Sequence, residues 1–505
     1  MSANQTPIDP ESTSRTAIFT KCVRGHARAA PVTATLSDSC NAVVAKMTAH
    51  GASAALIVNE QGRIAGILTE QDIVRRLAFQ AAPETPARDI MTTPVMTISG
   101  DDYLYHAIAR MRRHGLRHMP VIGGDGHAEG MLDLADALGA ATAGTLTQID
   151  RLSQDESLAG LRAVKAAQVA LAEDLFADNV AAPDIQAVLT HVNNDIYRRI
   201  ATRRVAEMSS ESWGPPPVEF CVIVMGSGGR GESFLYPDQD NGFILDDYPD
   251  SQHTKIDGYF IELALRMTQD LDAVGIPLCK GHVMATNPLW RKTLSQWRDQ
   301  ISLWRRRRTV TSLRLSDIFL DFRAVYGAVD LAAALRTHVT EQMRQSPVFL
   351  RDMQADDAEH GVALGWPGRV LGGLFGRFVT EKDDPAHLGA INLKHTGTLP
   401  LVEAVRLLAL REGVSETSTR ARLDGLRQRK LINADEADYL TGAFDLVTKL
   451  LLRRQIADFK AGVPVGNYVH PDTLTARERD QLVDSFKAIK RLRERVKSDF
   501  TGAVF

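Results

Sequence analysis

From Met47 onward the chain repeats itself at a constant offset of 64 residues. Met47, His50, Gly51, Gly62, Gly66, Leu68 and Asp72 recur as Met111, His114, Gly115, Gly126, Gly130, Leu132 and Asp136. Identities held at one spacing impose the same local structure twice, and two copies are too few for a solenoid. A pseudo-symmetric pair sharing one core is therefore expected. An apolar run sits between the matched glycines of each copy, Ala54 to Val58 in the first and Met119 to Ile122 in the second. The first copy reads as a helix over 41–48, a strand over 54–59, a turn at Glu60-Gln61-Gly62, and a strand over 64–69 entering a helix at Gln71.

These units resemble a tandem CBS domain, a module that binds adenine nucleotides in the cleft between its copies. Gly66-Ile67-Leu68-Thr69-Glu70-Gln71-Asp72 fits its ribose-phosphate signature. The resemblance implies AMP, ADP or ATP as a regulatory ligand, with Thr69, Asp72 and Asp136 as its contacts, and a homodimer formed through CBS pairs. Thr69 and N–H groups at a helix start suit a phosphate, while Asp72 suits ribose hydroxyls. The second copy has Asp133 where a hydroxyl is expected, and that carboxylate repels phosphate. One nucleotide site, at Thr69 and Asp72, is the favoured expectation; a plain N-cap at Thr69 is the alternative.

At 505 residues the chain has room for roughly three to five domains. Its net charge of −3 carries no general signal for nucleic acid or an anionic membrane. Met1 to Thr16 is polar and lacks the apolar core of a signal peptide, and no apolar run approaches membrane-spanning length. Cys22, Cys40, Cys221 and Cys279 are scattered without a Cys-x-x-Cys pair, which argues against a disulfide framework and for buried thiols in a reducing cytoplasm. The expected organisation is a disordered tail (1–17), two CBS units (18–142, about 18–80 and 86–142), a helical connector (143–212), a catalytic domain (213–345) and a helical C-terminal domain (346–505). The connector rests on apolar spacings such as Leu146, Ile149 and Leu152, then Ile185, Leu189, Val192 and Ile196; Trp213-Gly214-Pro215-Pro216-Pro217 marks its end.

Val218 to Met225 reads as a buried strand that opens into Gly226-Ser227-Gly228-Gly229-Arg230-Gly231-Glu232; ten residues separate Ser227 from Asp238-Gln239-Asp240. Glycines let backbone N–H groups approach a phosphate chain closely. Residues i and i+2 of an extended segment face one side, so Asp238 and Asp240 converge. Hard oxygen donors beside a phosphate cradle suit Mg²⁺ or Mn²⁺. Ser227 lacks a nucleophile elbow and a histidine partner, which argues against hydrolase chemistry.

Gly-Ser followed by Asp-x-Asp resembles the polymerase-β-like nucleotidyltransferase superfamily. The longer string Gly-Ser-x-Gly-Arg-x-Glu with Asp-Gln-Asp-Asn is similar to one branch of it, the CBS-containing DUF294 type related to the N-terminal domain of PII-protein uridylyltransferase. That resemblance implies an NTP substrate held by Gly226, Ser227, Gly229, Arg230 and Lys280. It also implies a third metal-binding carboxylate, placed at Asp321 on an expected strand over 316–323, and a PII-like protein as a possible acceptor. Lys394 and Arg406, in a segment similar to the branch's helical C-terminal domain, are expected near the nucleotide. Trp304-Arg305-Arg306-Arg307-Arg308 is the strong basic run; a solvated helix face is favoured over contact with RNA, so nucleic acid is not expected as a partner.

The expectation is a multidomain α/β (α+β) protein: a Mg²⁺-dependent nucleotidyltransferase acting through Asp238, Asp240 and Asp321, regulated by adenine nucleotide. The alternative is a non-catalytic nucleotide sensor.

Overall fold

The computed structural model describes residues 19–29, 31–77, 82–139, 157–357, 361–365 and 378–501. The expected tail, and Leu146, Ile149 and Leu152 of the expected connector, lie outside these. The chain divides into two compact units, Met1–Asp155 and Glu156–Phe505.

In the first unit the repeat is built as the spacing requires. Helix α1 (Cys40–Ala49), N-capped by Ser39, connects the first two strands of a sheet of β2 (Thr33–Thr35), β3 (Ala54–Val58) and β4 (Ile64–Thr69). The second copy pairs β5 (Ile98–Ser99), β6 (His118–Ile122) and β7 (Ala128–Asp133) in the same way, with α2 (Leu104–Arg113) before β6 and β1 (Arg28–Ala29) added along β7. Both copies carry a register shift at the matching place, Ile57/Val58 and Val121/Ile122. The repeated glycines explain themselves: Gly51, Gly62, Gly115 and Gly126 all take positive φ, closing the helix and the hairpin of each copy. Cys40, Val43, Met47, Ala55, Ile57 and Leu68 pack as a buried cluster in copy one.

The second unit begins with two long helices, α3 (Leu158–Ala177) and α4 (Ala182–Ser210), before a four-stranded sheet ordered β10-β9-β8-β11. In it β8 (Phe220–Val224) is antiparallel to β9 (Asn241–Leu245) and to β11 (Arg323–Gly327), and β9 is parallel to β10 (Arg291–Thr293). Between the strands lie α5 (Gly226–Arg230), α6 (His253–Val274), α7 (Leu294–Arg307) and α8 (Val310–Phe319). Helices α9 (Val329–Arg344), α10 (Pro347–Asp357), α11 (Leu399–Arg411), α12 (Thr419–Gln428), α13 (Ala434–Lys460) and α14 (Ala476–Thr501) complete the unit. Sheet residues such as Cys221 and Ile223 share one core with Leu401, Leu408, Phe444 and Phe486 of these helices. No helix among the described residues is long and apolar enough to cross a membrane.

Three expectations are corrected here. Residues 316–323 are not a strand: Thr309 caps α8, and the buried side chains Ser312, Leu313, Ser316 and Phe319 follow helical spacing, so the strand starts only at Arg323. Helices α3 and α4 are not a separate connector ending near 213. They pack into the second unit, where Gln186 Nε2 donates to the Glu232 carbonyl and Lys165 Nζ to that of Leu235. Cys40, Cys221 and Cys279 are buried free thiols, but Cys22 is exposed.

Candidate active site

Strand β8 is buried along its whole length and delivers the chain into α5, a single glycine-rich turn that ends at Gly231 in the left-handed region. Glycine is needed here for space as well as conformation. A Cβ at Gly226 would stand 3.2 Å from Asp240 Oδ2, and one at Gly229 would lie 1.7 Å from the Asp321 carbonyl oxygen. The turn is thus pressed between the two acidic segments.

Asp238-Gln239-Asp240 is the extended approach to β9, which starts one residue later, at Asn241. The polar residues beside the aspartates anchor it. Gln239 is fully buried, and its Nε2 donates to the Thr268 and Ile276 carbonyls at 3.1 and 2.9 Å. Asn241 Oδ1 accepts from Ala285 N–H at 3.0 Å, and its Nδ2 donates to Tyr197 Oη at 3.4 Å. With Gln239 held inward, alternation leaves Asp238 and Asp240 together on the other side. Ligand atoms of Asp238, Asp240 and Cys279 all lie within 4.8 Å of one another. Among the described residues neither aspartate forms an ion pair. Burial, then the Asp238 charge, pushes the Asp240 carboxyl up to about 7. Burial, then Asp240, pushes the Cys279 thiol up to about 12, so Cys279 is a protonated neighbour at neutral pH. Two crowded carboxylates without a cationic partner fit a hard divalent cation.

A narrow recess of about 20 Å³ beside the pair is lined by Ser227, Gly228, Asp238 and Asp240, and also by Asn193, Asn194 and Tyr197 of α4. These three residues were missed by sequence reasoning, as was Lys165 behind them. Lys165 is buried without a carboxylate partner, and burial pushes its ammonium down to about 7. It donates to Gln168 Oε1, Asn193 Oδ1 and the Leu235 carbonyl at 2.7, 3.1 and 2.9 Å.

Several expected site residues stand elsewhere. Asp321 does not join the pair. It is fully buried, with Oδ2 accepting from Arg230 Nη1 (2.9 Å) and Arg406 Nη1 (3.0 Å), and Oδ1 from Arg422 Nη2 (2.6 Å). Three guanidiniums occupy the oxygens that a metal would need. Arg230 is correspondingly committed, to Asp321 and to Glu232 at 2.7 Å, and is no free phosphate ligand. Arg406 belongs to the same cluster and also pairs with Asp317. Lys280 is exposed on the loop after Cys279. Lys394 is also exposed, and its charge opposes the rise at Asp240. Within the basic run, Arg305 donates to Ser346 Oγ and Gln342 Oε1, and Arg308 pairs with Asp352 at 3.2 Å. Arg305, Arg306 and Arg308 line a cavity of about 590 Å³ that contains none of the aspartates.

In the first unit Thr69 and Asp72 form a capping box. Thr69 N–H and Oγ1 donate to Asp72 Oδ2 at 3.0 and 2.7 Å, and Thr92 Oγ1 donates to Oδ1 at 2.9 Å. Asp136 pairs with Arg28 at 2.9 Å. The cavity between the copies, about 210 Å³, is lined by Arg28, His50, Ser53, His118 and Asp133, and by neither Thr69 nor Asp72. This cavity lies beside the second copy's Asp133 and does not include the expected site residues.

Family models account for most of the chain. The CBS domain model matches residues 23–79 and 87–142. The family "Putative nucleotidyltransferase DUF294" matches 166–311, and "Putative nucleotidyltransferase substrate binding domain" matches 347–500. The nucleotidyltransferase match begins inside α3, in keeping with the packing of α3 and α4 within the second unit. A protein of Methanopyrus kandleri is 32% identical over 114 residues, 22% of this chain and 58% of that protein. The mitochondrial CBS domain-containing protein CBSX3 of Arabidopsis thaliana is 30% identical over 125 residues, 24% of this chain and 60% of its own length. The matches thus span less than two thirds of these relatives. Among solved structures, a CBS domain protein of Pyrobaculum aerophilum complexed with AMP is 21% identical with a TM-score of 0.24, covering 26% of this chain and 98% of that one. A CBS-domain protein of Agrobacterium tumefaciens is 24% identical with a TM-score of 0.21, covering 22% and 90%.

Proposed function

We propose that this chain, a CBS domain pair joined to a DUF294 nucleotidyltransferase domain and its substrate-binding domain, transfers an NMP group from an NTP to an acceptor hydroxyl. The acceptor hydroxyl gives up its proton to solvent, its oxygen bonds to the α-phosphorus, the bond from that phosphorus to the bridging oxygen breaks, and pyrophosphate leaves with the bonding electrons. The observation that carries this reading is the Asp238–Asp240 pair. Two carboxylates converge beside the Ser227 turn with no ion pair, and one of them resists ionisation. Mg²⁺, when bound, neutralises triphosphate charge and lowers the cost of attack. Ser227 and the glycine turn bind the triphosphate; Gln239 and Asn241 keep the aspartates pointed at it. Burial of the approach through Gln239 excludes water from the back of the site. By its resemblance the acceptor is a PII-like signalling protein, and adenine nucleotide in the CBS cleft sets activity by binding one conformation better than another.

The engagement of Asp321 by three arginines favours a second reading, a nucleotide-binding sensor without transfer, because only two carboxylates then face the metal. One experiment separates the two. Transfer from α-labelled ATP, UTP, GTP and CTP with Mg²⁺ onto protein in a cytoplasmic extract is compared for wild type and Asp238→Asn/Asp240→Asn, with and without AMP. An aspartate-dependent labelled protein is the expected result. Nucleotide binding without any such label would favour the sensor.

A further inference from the structure

Asn193 sits on α4, 4% exposed, in the wall of the recess that Ser227, Asp238 and Asp240 share. Its amide cannot turn over. Gln168 Nε2 donates to the Leu189 carbonyl at 3.4 Å and to Asn193 Oδ1 at 2.9 Å, and Lys165, as an ammonium, donates to the same Oδ1 at 3.1 Å. Gln168 is itself fixed, since its Oε1 accepts from Lys165 at 2.7 Å. All three ammonium protons of Lys165 are used, the third on the Leu235 carbonyl. Two donors on Oδ1 dictate that Nδ2 is the other end of the amide, and Nδ2 is buried without a hydrogen-bond partner among the described residues. A buried, orientation-locked donor left unpaired costs stability unless something accepts from it. The recess holds about 20 Å³, room for about one oxygen atom. It lies between the phosphate-binding turn and the metal-binding pair, where the triphosphate runs in the reading above.

We propose that Asn193 is a nucleotide-contacting residue whose Nδ2 donates to a phosphate oxygen of the bound NTP, with Lys165 and Gln168 as the positioning residues that aim it. This rests on the nucleotidyltransferase reading and adds to it a ligand from α4.

The test uses the full chain, Mg²⁺ and the α,β-methylene analogues of the four NTPs, which bind but do not transfer. Only binding that Asp238→Asn/Asp240→Asn removes is counted, which sets aside any nucleotide held by the CBS pair. Asn193→Asp is the informative variant. It keeps an acceptor for Lys165 and Gln168 and gains an ion pair with Lys165, so the fold is retained, while the donor becomes an acceptor. Asn194→Asp adds the same charge to the same recess and leaves the Asn193 donor in place. The expected result is an affinity loss of roughly tenfold or more for Asn193→Asp, a clearly smaller loss for Asn194→Asp, and an unfolding midpoint of Asn193→Asp no lower than wild type. Tripolyphosphate with Mg²⁺ is expected to discriminate the variants in the same order. Equal losses in the two variants, or none in Asn193→Asp, would overturn the contact. Sensitivity with nucleotides but not with tripolyphosphate would overturn its assignment to phosphate. If no analogue binds wild type in an aspartate-dependent way, the nucleotidyltransferase reading fails first, and the contact with it.

Discussion

Asp240 and Asp321 touch the same short glycine helix, one against Gly226 and the other against Gly229, yet their surroundings are opposite. Asp321 is fully buried and answered by Arg230, Arg406 and Arg422. Asp240 is half-buried, stands beside Asp238 and forms no ion pair among the described residues. A buried charge that is paired on every side holds elements together. Here Asp321 ties the glycine helix to α11 and α12, and Thr417 Oγ1 adds a bond to the Gly229 carbonyl at 2.9 Å. A carboxylate pair left without a cation is held in an unfavourable state that a metal relieves. The same residue type thus serves the fold in one place and the chemistry a few ångströms along the same turn.

Removing charge at each site is the sharpest way to break that comparison. Asp321→Ala leaves three buried guanidiniums facing one another and is expected to destabilise the protein by about 3–5 kcal/mol, read as a lower denaturant midpoint. Asp240→Asn does the reverse. It relieves repulsion, so the metal-free variant is expected to be more stable than wild type at pH 8 by about 1–2 kcal/mol, while transfer falls by roughly a hundredfold or more. An Asp321 variant that keeps wild-type stability, or an Asp240→Asn variant that loses it, would erase the distinction.

A pH series probes the same contrast more gently. Folding raises Asp240 from 3.8 to about 7, so between these values the folded state holds a proton that the unfolded state has released. On that account the stability Asp240 contributes is full below pH 3.8 and is lost as pH rises towards 7. Thermal unfolding of wild type minus that of Asp240→Asn, without metal, should decline across this window, and saturating Mg²⁺ should flatten it. The smallest effect lies in the first unit. Thr69→Ala removes one half of the capping box and is expected to cost about 1 kcal/mol. If Thr69 serves only as a cap, the variant leaves AMP binding unchanged.

Much of the local structure was legible. The repeat foretold paired sheets because Gly51 and Gly62, matched by Gly115 and Gly126, are the positive-φ positions that close the helix and the hairpin of each copy, a property written residue by residue. Gly-Ser and Asp-x-Asp were legible because the first follows the buried run of β8 and the second leads directly into β9, its paired neighbour. The strand assigned to 316–323 failed because Phe319 to Arg323 alternates like a strand over too few residues to reveal that Ser312 and Ser316 lie on a buried helix face. Asn193 and Tyr197 left no motif, being polar residues within an ordinary helical pattern. Only their placement against Ser227 and Asn241 gives them meaning.

By itself, then, the sequence determined the repeat, the turns, the glycine-rich segment after β8 and the two aspartates that lead into β9, because each depends on backbone conformation over a few neighbouring residues. Tertiary structure alone decided which acids were neutralised. The arginines that claim Asp321 stand 85 and 101 residues away at Arg406 and Arg422, and Lys165 fixes Asn193 across 28. Charge and hydrogen bonding act through space in a poorly polarisable interior, so their outcome follows distance in the folded chain and not order along it.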